Sequence, residues 1–234
     1  MIISHKHQFV FLKTTKTAGT SVELALSRFC GPNDIITPLS SEEEQIRREI
    51  GGKPPQNYRP TSFVQYTGRD LWKLLSRGKS PRRYREHMPA SRIRRRVGHE
   101  TWNQYFKFCI TRNPWDRVIS QYYWRQRNLR QEEMPSIMEF LDSKHTQSLL
   151  RKGFELYTLK GQVAVDRVCR YESLGKDLEE VRKHLGLPEP LELPKAKSGT
   201  RKDKRHYSDV LSEAEKDRIA DLFRDEIELM GYRF

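Results

Sequence analysis

The 234-residue chain holds only three cysteines, Cys30, Cys109 and Cys169, widely separated and odd in number. That pattern excludes a disulfide-stapled framework and a paired zinc-binding spacing. Cys109 and Cys169 each sit in a strand-like run and read as small buried hydrophobes. No apolar run approaches the roughly 20 residues that span a bilayer, so no transmembrane segment is expected. The opening MIISHKHQFVFL has only a short apolar stretch leading into a polar loop, and reads as folded strand, not as a signal peptide. A reducing, cytoplasmic setting fits these absences. There is no internal repeat, and no linker forces a domain split. Acid is scarce: 31 Asp and Glu stand against 44 Lys and Arg, a net charge of +13. Such an excess implies an anionic partner without saying which kind. Nucleic acid is the first thought, but no zinc, RNP-type or basic-zipper pattern accompanies the charge.

Hydrophobic residues make up 35% of the chain, with ten Phe, ten Tyr and four Trp, enough for one well-buried domain. Residues 7–13 (HQFVFLK), 105–111 (YFKFCIT) and 165–173 (VDRVCRYES) read as strands. SVELALSRF, with Val22, Leu24, Leu26 and Phe29, reads as a helix capped by Thr20 or Ser21. Further helices are expected near 41–50, from Ala90 through Val97, from Pro114, over 134–144, near 147 and over 177–187. A last one carries the capping-box pair Ser212 and Glu215, with Ile219, Leu222, Phe223 and Ile227 on one face. Strands alternating with helices predict an α/β fold, a single domain over 1–234 with a central parallel sheet flanked by helices. Residues 31–60, rich in Pro, Gly and acids, are expected to be a surface excursion.

Two segments carry chemistry. The first runs from Lys13 to Ser21 (KTTKTAGTS), between a strand and a helix. Such a turn aims successive backbone N–H groups and a helix N-terminus at one point, an oxyanion cradle. Lys16 adds a mobile charge, and Thr17, Thr20 and Ser21 add hydroxyl donors. The pattern GxxxxGK[ST] cannot be laid over it and no acidic Mg²⁺ partner stands out, which counts against a nucleotide kinase or ATPase. The second is FCITRNPWDRVIS, where Arg112 lies just past a strand end, the place where open α/β sheets hold ligands. Asp116, Ser120 and Tyr123 share a face of the helix that follows. Arg112 through its fork and Ser120 through its hydroxyl suit one phosphate group. The plainer alternative makes Arg112 a solvated strand end and Arg117 a partner for Asp116.

Together these segments resemble the PAPS-dependent sulfotransferases, most closely the carbohydrate-type branch. The resemblance runs from about residue 7 to 234, is carried also by RYESL (170–174) and DEIELMGYRF, and is poorest over 31–86. It implies a P-loop-like sulfotransferase fold, with 31–86 as a variable excursion. It implies that Lys13, Thr15, Lys16, Thr17, Ala18, Gly19, Thr20 and Ser21 form the loop for the 5′-phosphosulfate of PAPS. Arg112 and Ser120 then bind the 3′-phosphate, and PAP is the product. The acceptor is a hydroxyl compound, a carbohydrate by the same resemblance. The basic cleft suggests an anionic one.

Lys16, at the tip of the turn, suits the charge that develops on the leaving nucleotide. A sulfuryl group carries less charge than a phosphoryl group, so no metal is required in principle. The acceptor hydroxyl needs a base within about 3 Å. His87 in REHMPAS is the first choice, because it precedes a helix in the basic segment and the family often places a histidine there; His99, an acidic residue or a histidine elsewhere is the alternative. Two basic runs are left over. Eleven Lys and Arg lie between 69 and 96. The loop 195–206 offers Lys197, Ser198, Arg201 and Lys202, which by the resemblance close the 3′-phosphate side, or else form a solvated tether.

Overall fold

Phe9, Phe11 and Phe108 pack on one side of a central sheet, and Val10, Leu12 and Cys109 on the other, all buried. Burial on both faces is what interior parallel strands require, and it explains their unbroken apolar runs. The computed structural model describes residues 1–62, 68–77, 81–194, 203 and 205–234.

The strands are β1 (Ile2–Ser4), β2 (Phe9–Leu12), β3 (Ile35–Ile36), β4 (Phe106–Thr111), β5 (Thr158–Leu159), β6 (Gln162–Val163) and β7 (Arg167–Arg170). Five form the main sheet in the order β3-β1-β2-β4-β7, and β5 and β6 make a separate hairpin. β2, β4 and β7 are parallel, with Leu12 beside Cys109 and Thr111 beside Arg170. β1 runs antiparallel to both β2 and β3. The expected parallel arrangement thus holds for the strands that carry the site, while the sheet as a whole is mixed. The reversal follows from the first residues: Met1, Ile2 and Ile3 are fully buried, and Gln8 takes φ 52° in the turn that folds them back on β2.

The helices are α1 (Gly19–Ser27), α2 (Ser41–Glu49), α3 (Gly68–Arg77), α4 (Ala90–Val97), α5 (His99–Gln104), α6 (Pro114–Gln126), α7 (Ile137–Leu141), α8 (Lys144–Arg151), α9 (Phe154–Tyr157), α10 (Leu174–His184), α11 (Glu213–Leu222) and α12 (Arg224–Met230). α1 and α10 cover one face of the sheet through Val22, Leu26, Leu178 and Val181. α4, α5 and α9 cover the other through Ile93, Trp102 and Leu156. A third apolar cluster joins Val118 and Ile119 of α6 to Phe140, Leu149, Ile219 and Met230.

Two expectations change. The last helix is broken at Phe223, which leaves the helical region with φ −115° and packs its ring under the Arg117 guanidinium. Residues 31–60 are not merely surface. Ile35 and Ile36 form the sheet edge, Asp34 is buried and accepts the N–H groups of His5, Lys6 and Gly31 at 2.7–3.0 Å, and Arg47 is fully buried beside Glu44 at 2.8 Å.

Candidate functional site

The loop after β2 is wound unusually: Lys16 and Ala18 have φ of 65° and 58°. Left-handed backbone at non-glycine residues costs about 1–2 kcal/mol each and collects at functional loops. Ala18 is the N-cap of α1 and offers no side-chain cap; no acid stands in the first turn. By contrast Ser40, Ser136 and Ser212 each complete a capping box on their helices. Thr20 and Ser21, expected as caps, lie inside the first turn instead. The positive end of α1 therefore presents uncapped N–H groups at the carboxyl end of the sheet, the arrangement that receives an anion. Thr15 Oγ1 is buried there without a hydrogen-bond partner among the described residues. Gly19 is needed because a Cβ would lie 2.8 Å from Lys13 Cγ.

The polar side chains of this loop divide in two. Lys13 is buried, with Nζ 3.1 Å from Glu23 and paired also with Glu86. Burial works against its charge, but the two carboxylates prevail and its pKa is raised. Thr17 is turned inward to Thr14, hydroxyl to hydroxyl at 2.8 Å. Lys16 instead reaches out over α6, with Nζ 5.4 Å from the centre of the Trp124 ring.

β4 ends at Thr111, and Arg112 follows directly. Its Nε donates to Asp116 at 2.8 Å and one terminal nitrogen to the Lys16 carbonyl at 3.2 Å. The guanidinium lies over Tyr171, 4.2 Å from the ring centre. Glu172, beside that tyrosine, accepts the Asn113 N–H at 2.6 Å, and Asn113 in turn caps α6 by accepting from the Trp115 N–H at 3.1 Å. The ends of three neighbouring parallel strands thus fix one guanidinium. Ser120, half-buried, stands one turn beyond Asp116, and Trp124 one turn beyond Ser120, along the same face of α6. Arg117 does not pair with Asp116. It is fully buried on the opposite side and meets Glu226 of α12 at 2.9 Å, where Thr111 Oγ1 also donates at 2.6 Å.

His87 approaches the loop from the other side. Its Nδ1 lies 2.8 Å from the Lys13 carbonyl. A carbonyl only accepts, so this partner assigns the ring proton to Nδ1 and leaves the lone pair on Nε2. Burial pushes the imidazole down to about 4 despite the attraction of Glu86. Burial alone would raise Glu86; Lys13 and His87 outweigh it and hold the carboxyl at about 2. His87 is therefore a neutral ring with an available acceptor nitrogen at ordinary pH.

The structure brings Lys16, Arg112 and His87 onto one loop, with Ser120 on the helix below. It does not bring His99 there: that residue is exposed at the start of α5, 3.2 Å from Arg94. Lys197, Ser198, Arg201 and Lys202 lie outside the described residues. Sequence reasoning gave no specific place to Trp124, Tyr171 or Glu86, although Tyr171 follows the third parallel strand and Glu86 adjoins the histidine.

Comparison with known proteins gives three results. The family model described as "Sulfotransferase family" matches residues 1–233. An uncharacterized protein of Archaeoglobus fulgidus is 38% identical over 109 residues, covering 45% of this chain and 88% of that protein. No solved structure matches the chain significantly.

Proposed function

Because the chain belongs to the sulfotransferase family, we propose that it moves the sulfuryl group of PAPS to a hydroxyl of a carbohydrate acceptor. The whole chain then serves as one sulfotransferase domain, with 31–86 as its variable part. The observation that carries this reading is the uncapped α1 cradle linked to Arg112 through the Lys16 carbonyl. One nucleotide with an anion at each end matches two anion sites held by a single loop.

The donor, when bound, supplies an activated sulfuryl group on a phosphate leaving group. The loop N–H groups, Thr15 Oγ1 and the N-terminus of α1 fit its 5′ end. Lys16 stands ready to offset the negative charge that grows on the leaving nucleotide. Arg112 and Ser120 hold the 3′-phosphate, with Asp116 and Tyr171 keeping the guanidinium flat and oriented. Lys197, Ser198 and Arg201, outside the described residues, are assigned to that phosphate by the resemblance alone. Nε2 of His87 takes the proton of the acceptor hydroxyl, its ring fixed by the Lys13 carbonyl. Lys13 itself, committed to Glu23 and Glu86, supports the loop.

A cytoplasmic setting is part of the same proposal, resting on three buried, unpaired cysteines. No described helix is long and apolar enough to cross a membrane. Calorimetric titration with PAP tests the donor site: the reading requires binding by the parent protein that is largely lost in K16A and in R112A. Unchanged PAP affinity in both variants overturns the assignment.

A further inference from the structure

The loop after β2 holds two lysines, and the fold treats them differently. Lys13 follows the strand directly, and its side chain runs along α1. A Cβ at Gly19, the first residue of that helix, would lie 2.8 Å from Lys13 Cγ and 3.5 Å from Cε. Glu23 stands one turn further on the same side of α1, and Lys13 Nζ reaches its carboxylate at 3.1 Å. The ammonium is thus carried roughly 5.4 Å, one helical turn, past the uncapped N–H groups.

Glu23 is fully buried, and Lys13 is not its sole neighbour. The Met1 ammonium lies 2.7 Å away and the Arg47 guanidinium 3.5 Å away, and the Thr37 hydroxyl donates at 3.0 Å. Burial works to raise the Glu23 pKa, but these cations outweigh it and hold the carboxyl below its ordinary range. Arg47 is paired also with Glu44 at 2.8 Å, and Lys13 with Glu86. Among the described residues, Met1, Lys13 and Arg47 thus face Glu23, Glu44 and Glu86, and their charges cancel. Stability alone does not call for such a network, because apolar side chains of similar volume serve as well or better. Val22, Leu24 and Leu26 around Glu23 are all apolar and buried. The effect of the network is electrostatic. A second ammonium inside the cradle would attract donor and product alike, tightening ground-state binding without favouring the transition state.

We propose that Glu23 is a positioning residue for the loop: it holds Lys13 alongside α1 and cancels its charge, so that Lys16 is the loop lysine that acts on the bound anion. The identity of that anion rests on the transferase reading above; the role of Glu23 rests on its own contacts.

The test is calorimetric titration with PAP and, separately, with inorganic pyrophosphate, in the parent, E23Q and E23Q/K13M. E23Q leaves the Lys13 ammonium under-compensated and should bind both probes about three- to tenfold more tightly, the size expected of one unit charge acting through partly solvated protein. E23Q/K13M removes the ammonium as well and should return both affinities to those of the parent. A Glu23 that merely props the fold gives the opposite pattern, weaker binding in E23Q that K13M does not reverse, and that result overturns the proposal. Unchanged affinity in E23Q overturns it too. If E23Q does not fold, carbon NMR of the lysine Cε groups in the parent decides, with K13M and K16A to assign the signals. Pyrophosphate should then shift the Lys16 signal and leave that of Lys13 in place, and shifts of equal size overturn the assignment. A parent protein that binds pyrophosphate but not PAP, with E23Q tightening the pyrophosphate, overturns the donor reading and leaves the role of Glu23 standing.

Discussion

Nδ1 of His87 lies 2.8 Å from the backbone oxygen of Lys13, so the proposed base is fastened to the loop that carries Lys16. The contact fixes the tautomer as well as the ring. Burial of the ring gives it a pH signature, because the imidazole is held at about 4 where an ordinary histidine stands at 6.5. Between these values the unfolded chain binds a proton that the folded protein does not. Stability is therefore complete above pH 6.5, falls as pH drops towards 4, and levels off below that for this group. Glu86, held at about 2, adds a loss of the same sign below pH 4.5. Urea unfolding of the parent and H87Q between pH 7.5 and 4 checks this, since the slope above pH 4.5 should flatten in the variant. An identical slope in both would count against a buried, neutral His87.

K16A and R112A should both weaken PAP binding, but only K16A should also slow the chemical step. Removing the Lys16 ammonium takes charge away from the leaving group, and K16A should lose about 10²–10³ in kcat. R112A should weaken PAP by about 10–100-fold through loss of charge-assisted hydrogen bonds. R112K should recover little, because an ammonium cannot reproduce the fork that spans Asp116 and the Lys16 carbonyl. Initial rates with PAPS, alongside PAP titration, separate the two effects. A K16A enzyme that loses only PAPS affinity would move Lys16 out of the chemical step.

Gly19 is fixed by its neighbour. A methyl group there would meet Lys13 Cγ at 2.8 Å, and Lys13 is held by Glu23 and Glu86. G19A should therefore cost about 1–3 kcal/mol of stability through overpacking, together with weaker PAP binding. Chemical denaturation and titration on one preparation measure both. Parental values for both would mean that the loop relaxes freely.

The Arg117–Glu226 pair tests the packing of α12 on α6 apart from the site. Both residues are essentially unexposed, and Glu226 also accepts from Thr111 at 2.6 Å. E226L strands a buried guanidinium and should cost about 3–5 kcal/mol. Joining it to R117M should recover most of that loss. Thermal unfolding of the three variants decides; a double variant no more stable than E226L would show that the pair's hydrogen bonds, and not its isolated charge, set the cost.

Much of this was readable along the chain, and the rest was not for a physical reason. β2 and β4 announce themselves as apolar runs ending in polar turns, α6 starts at its proline, and Ser212 and Glu215 make the expected box. Such signals are local. Lys13 and Lys16 look alike in KTTK, yet one is spent on Glu86, 73 positions away, and the other lies over Trp124 of α6. Arg117 has a near acid in Asp116 but takes Glu226, 109 positions away. The opening MIISHKHQFVFL reads as strand, but β1 has only three residues, too few to show that it is a separate strand folded back on β2. Partner choice among charges is a property of the folded surface, and no spacing rule encodes it.

The Lys13 and Lys16 carbonyls each hold a group from a different segment, His87 in one case and Arg112 in the other. The proposed base and the proposed 3′-phosphate clamp therefore share one support. On the proposed mechanism the expected order of addition is donor first and acceptor second. PAP should accordingly inhibit competitively against PAPS and noncompetitively against the acceptor. Competition against both would overturn the donor-first order.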